Sequence, residues 1–283
     1  MILRKKFLIA VFLLLVLAPA CLHAATPFDH SLWDAFLKKN VDENGDVNYR
    51  AVVQDPAPLN DYMASLAQVS FFDMKSWPRE ESLAFWMNAY HATLIKLVVE
   101  NYPVTSVQRI PSFWDIAALH IGKNTKLQLG SDASLSTQFS LNDIRIQKLL
   151  AVYRDEKIHL ALSLGARGGP KLMTEAFTGP KVEGQLFVLT RQFVNDTKHV
   201  DVTPGHKKIH LSKIFKWYGK DFNLDFGTPE PLGKFSSIDT AVLSFLAYYL
   251  EDEEKVEFLQ QAKYKIQYPA FDWSLNDQDR KVS

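Results

Sequence analysis

The chain has 283 residues, 47% of them hydrophobic, with 32 basic and 32 acidic side chains and a formal charge of +0. Basic residues are scattered rather than striped, which argues against a nucleic-acid surface. There is one cysteine, Cys21, so no internal disulfide can form, and a cysteine nucleophile is excluded from everything beyond residue 21.

Arg4, Lys5 and Lys6 precede an uncharged apolar run from Phe7 to Ala20. This pattern predicts a secretory signal over 1–24 and a folded domain over 25–283, because the run is shorter than the ~20 residues of a spanning helix. Cleavage near Leu22-His23-Ala24 implies a periplasmic or secreted protein. The alternative is a lipid anchor on Cys21, although the Leu usual three residues before a lipidated cysteine is here Ala18. Membrane association is expected only through such an anchor. Losing the three basic residues leaves about −3 of charge.

Phe28, Leu32, Phe36 and Leu37 recur at helical spacing, and Asp42 to Asp46 then form a turn. The turn only begins like a calcium loop: Val47 and Val53 stand where Gly and Glu are needed. A helix is predicted over Leu59 to Val69. The strongest helix signal runs from Arg79 to Glu100, opened by Pro78, Glu80 and Glu81 and closed before Pro103. It is apolar on most sides, which places it centrally. A hairpin pairing 118–121 with 126–129, a helix from Leu141 to Leu150 and a strand over Ile158 to Leu164 follow. Next come a helix after Pro180, a hairpin of His199–Val202 with Lys208–Leu211, a helix capped by Ser212, two helices over 237–262 and a strand at Tyr264 to Tyr268. About seven short strands among as many helices, without regular βαβ alternation, indicate a single-domain α+β fold with mostly antiparallel strands and hairpins around a buried helix.

No phosphate loop, dinucleotide fingerprint, His-Glu-x-x-His or nucleophile-elbow motif is present, and no metal site or cofactor is expected. Asn88 and His91 share one face of the central helix; buried polar groups require partners, so they form a structural pair or a catalytic one. His159 and Ser163 lie too far apart on an extended segment to act as a dyad. Candidate catalytic residues are His159, His91 and Asn88, with Asp115, Asp143 or Asp272 as a carboxylate partner. Candidate ligand-binding residues are Arg167, in a glycine-rich turn, with Asp272 and Trp273. Trp217, Tyr218, Phe222, Phe271 and Trp273 line either a groove or the core.

Five ordered strings carry a resemblance: Leu83 to His91, Ser140 to Ile144, Lys157 to Leu162, Leu211 to Tyr218 with Asp221-Phe222, and Phe271 to Asn276. Together they resemble the DUF547 family, a domain of unknown function found in exported bacterial proteins and at the C-terminus of plant proteins. The resemblance spans about Val47 to Asn276 and implies no reaction. Its typical pattern His-Phe-Ala-Leu-x-Cys-Gly-Ala-x-Ser-Cys-Pro is here His159 to Pro170, with Leu164 and Gly169 at the two cysteine positions. Its Ile-Glu-His is here Ile144-Arg145-Ile146. A preserved scaffold without these groups implies a ligand-binding or accessory envelope protein, with a small molecule or a protein as partner. The alternative is a hydrolase or transferase using His91 or His159 as general base.

Overall fold

The computed structural model describes residues 26–122 and 138–279. The signal segment, Cys21 and the expected hairpin arm 126–129 lie outside them. Among the described residues, the fold is α+β: helices dominate, with one two-stranded and one three-stranded sheet.

Helix α5 (Arg79–Glu100) is the centre, as its sequence predicts, and every residue from Leu83 to Ile95 is buried. Helices α1 (Ser31–Asn40), α2 (Tyr49–Gln54), α3 (Ala57–Gln68) and α4 (Phe71–Ser76) contribute to the core around it. Asp42 forms the expected turn, its carboxylate accepting from the N–H groups of Asn44 and Asp46. Strand β1 (Leu119–His120) pairs antiparallel with β2 (Gln138–Phe139).

A continuous helical stretch begins at α6 (Leu141–Asp143), where Ser140 and Asp143 form a capping box. It winds as a π-helix over Ile144–Leu150 and returns to α-geometry in α7 (Ala151–Tyr153). The expected strand at 158–164 is instead one helical turn, α8 (Ile158–Ala161), followed by extended chain. The reason lies in its surroundings. Ile158, Ala161 and Leu162 join the core around α5, whereas Leu160 and Leu164 join a second core. With both sides buried, apolar alternation no longer distinguishes a strand.

The second core gathers α9 (Val182–Asn195), α10 (Lys213–Phe226), α11 (Ser237–Tyr249) and α12 (Glu253–Gln260). Its sheet orders β3 (Val200–Asp201), β4 (Lys208–Leu211) and β5 (Lys265–Gln267), with the predicted β3–β4 pair antiparallel and β4–β5 parallel. After β5 the chain runs back across both cores. The Ser274 carbonyl accepts from the Arg167 N–H, and Leu275 donates its N–H to Thr105. Arg167 fastens this segment through its guanidinium, which reaches Asp46 at 3.0 Å and the carbonyls of Leu275 and Asp277.

Candidate functional site

Helix α5 presents Asn88 and His91 to backbone that crosses the core. Asn88 donates to the Phe177 carbonyl at 2.8 Å and accepts from the Phe177 N–H at 3.0 Å. His91 Nε2 accepts from the Ser163 N–H at 3.1 Å, while the ring also bonds the Ala161 backbone and stacks on Phe177. A ring nitrogen that accepts an amide proton is unprotonated. Burial enforces the same state, holding His91 at about 3.

His159 stands on α8 with its side chain 1% exposed and its Nε2 2.7 Å from Asp221 Oδ2. Its ring stacks on Tyr218, with centroids 4.1 Å apart and planes within 7°. Burial lowers the histidine's pKa against the pull of Asp221, and the hydrogen bond with His159 holds the Asp221 carboxyl below its usual range. Asp221 is therefore the carboxylate partner, in place of the three considered from sequence. Asp115 accepts from the Asn142 amide, Asp143 caps α6, and Asp272 accepts from Ser274. Asp221 already stood in the string Asp221-Phe222; nothing in one sequence paired it with His159.

In front of Tyr218 opens a cavity of about 270 Å³, lined by Trp114, Asn142, Arg145, Leu164, Trp217, Tyr218 and Trp273. Arg145 projects from the π-helical turn, donates to Asn142 Oδ1 at 3.1 Å and lies 5.3 Å from the Tyr218 ring centre. Trp217 and Trp273 stack at 5.8 Å with 29° between planes. Trp114 and Trp273 each pack against both cores, so the cavity sits at their junction, a common place for a ligand site.

Of the residues singled out from sequence, Trp217, Tyr218 and Trp273 line this cavity, with His159 behind its Tyr218 wall. Asn88 and His91 lie deeper, Arg167 is part of the C-terminal fastening, and Asp272 borders a separate hollow beside His199 and His210. Arg145 was visible only as a departure from a pattern and Asn142 only as part of the string Ser140 to Ile144, and Trp114 carried no signal. Among the described residues, no group of three or more His, Cys, Asp or Glu is placed to hold a metal ion, and no helix is long and apolar enough to cross a membrane.

Residues 74–194 match the DUF547 family. That family is described as a protein of unknown function, and the match confirms the resemblance over this stretch. No curated protein and no solved structure matches the chain. The DUF547 stretch supplies α5, the π-helical turn, α8 and α9, hence Trp114, Asn142, Arg145, His159 and Leu164. Trp217, Tyr218, Asp221 and Trp273 come from beyond it, so the match covers one wall of the cavity.

The two cysteine positions of the DUF547 pattern have a definite geometry here. A Cβ built on Gly169 lies 3.3 Å from Leu164 Cβ, just short of the 3.5–4.5 Å typical of disulfides. A cysteine pair at these positions needs only a small backbone adjustment to reach cross-linking distance. A Cβ on Gly168, where the pattern has Ser, would meet the Asp272 backbone at 2.8 Å, so the glycine admits the returning C-terminal segment.

Two expectations follow. The double substitution Leu164→Cys with Gly169→Cys should oxidise to an intramolecular disulfide, read as loss of both free thiols without a change in mass-spectrometric oligomer; persistently reactive thiols would contradict this spacing. Stability should also fall with acid. Burial depresses His30 and His199 to about 4 and His91 to about 3, and lowers His159. Below the unfolded value near 6.5, the unfolded chain binds protons that the folded chain refuses, so their contribution is complete above that pH and is lost below it. Glu156, pushed up to about 7, works in the opposite sense and offsets one proton. The unfolding free energy from urea titrations should therefore drop steeply from about pH 6.5 to about pH 4.5, at up to roughly 3 kcal/mol per pH unit for His30, His91 and His199 set against Glu156; a flat profile would refute the assignment.

Proposed function

We propose that this DUF547-containing chain is an exported ligand-binding or accessory protein of the bacterial envelope, whose ligand occupies the tryptophan-lined cavity between the two cores. The observation that carries the reading is the convergence of Trp114, Trp217, Tyr218 and Trp273 with Arg145 around about 270 Å³ of open space. Large apolar rings left uncovered beside a cation are the composition of a recognition surface. Trp217 is 41% exposed. The histidines support binding over proton transfer. Both functional groups of the His91 ring serve backbone, and the His159 ring is covered by Tyr218 and tied to Asp221.

The basic, apolar N-terminal pattern supports export, and a disulfide-spaced pair at the positions of Leu164 and Gly169 in relatives suits an oxidising compartment. Leu164 gives the cavity an apolar wall, which suits ligand packing.

Screening the purified protein by NMR of its tryptophan indole N–H groups, against saccharides, peptides and lipid headgroups, tests the reading. A ligand should shift the Trp217 and Trp273 signals, and Trp273→Ala should weaken it about tenfold. Cell fractionation should place the protein outside the cytoplasm, shortened by about 24 residues. Binding unaffected by Trp273→Ala, or a full-length cytoplasmic protein, would overturn the respective half of the proposal.

A further inference from the structure

We infer that the ligand is a saccharide carrying a carboxylate, with the carboxylate on Arg145 and the sugar ring on the Trp217–Trp273 face; this rests on the cavity being a binding site, as proposed above.

The charge comes first. Arg145 is half-buried, and among the described residues no carboxylate forms an ion pair with it. Its hydrogen-bond partner is the neutral Asn142 oxygen at 3.1 Å. Asn142 is itself held at 2.8 Å by Asp115, so the guanidinium is aimed by a chain of two hydrogen bonds rather than neutralised. Asp221, whose carboxylate feels the Arg145 charge without forming an ion pair with it, is hydrogen-bonded to His159 at 2.7 Å. A partly desolvated guanidinium with a fixed direction and a neutral partner favours an incoming planar anion, which it can hold with two parallel N–H bonds.

The shape supplies the rest. Trp217 and Trp273 stack on one another with centroids 5.8 Å apart and 29° between their planes, and Trp217 is 41% exposed. Rings already in contact leave no slot between them for a flat aromatic ligand. The uncovered indole surface instead offers its electron-rich face to the C–H groups on one side of a pyranose. Tyr218, covering His159 with its own ring, lines the same space and adds a further aromatic surface with Arg145 above it. The volume of about 270 Å³ lies below the roughly 300–1,000 Å³ of drug-sized pockets, so one ring-sized unit fits while the remainder of a longer glycan projects through the open mouth.

The test compares four probes on the intact protein by indole NMR and calorimetry: methyl glucuronide, methyl glucoside, glucose 6-phosphate and benzoate. The glucuronide should shift the Trp217 and Trp273 indole signals and bind at least about tenfold more tightly than the glucoside, with about tenfold loss in Arg145→Gln and partial recovery in Arg145→Lys. The probe comparison needs no variant, so it stands even where a substitution perturbs folding. Equal binding of glucoside and glucuronide, tighter binding of the phosphate or of benzoate, or no binding by any of the four overturns the inference. In the first two cases the cavity still binds and only its ligand class is wrong. If every interaction found with any compound survives Trp273→Ala, the cavity reading itself fails.

Discussion

Backbone that crosses a hydrophobic core must find hydrogen-bond partners there, and in this protein α5 supplies them. The segment Ala161–Ser163 and the Phe177 peptide pass beside the most buried helix of the chain, where each unpaired polar group costs about 1–3 kcal/mol. Asn88 satisfies Phe177 in both directions, and His91 bonds Ser163 and Ala161. Apolar substitutes would pack but would leave these peptides unpaired. The pair thereby fixes the chain leaving α8, which is the segment that carries His159 on one side and Leu164 on the other.

From that anchor the cavity follows. Leu160 and Leu164 face the second core while Ile158, Ala161 and Leu162 face the first, so this short segment sews the two together. His159, sealed at the seam, positions α10 through Asp221 and the stacked Tyr218, and so sets where Trp217 stands. The returning C-terminal segment adds Trp273, fastened by Arg167 and admitted by Gly168. The π-helical turn matters for the same reason. Its wider winding displaces side chains from α-helical positions, a feature frequent at functional sites, and here it carries Arg145 to the cavity.

The central helix was legible to the residue because Pro78, the acidic first turn and a nearly all-round apolar surface agree with one another. So were the Ser212 cap and the β3–β4 hairpin, each set by local chemistry. The strand expected at Ile158 failed because burial on both sides erased the contrast that periodicity depends on. Leu119 pairs with Phe139, a partner that the sequence pattern did not reveal. For the site, Trp217, Tyr218, Trp273 and His159 stood out individually in the sequence, but their assembly did not: Trp114, Arg145, Tyr218 and Trp273 are far apart along the chain, and only the meeting of the two cores brings them together. The polar pair was readable as buried, while the identity of its backbone partners was not.

The most direct test of this account is the protonation state of His91, followed by imidazole nitrogen NMR as pH is lowered. If His91 holds the core backbone together, its Nε2 stays unprotonated and its Nδ1 carries the proton throughout the folded range, with no titration near ~6.5. A folded protein in which His91 titrates near that value, or carries its proton on Nε2, would contradict the hydrogen bond from Ser163 and the architecture built on it.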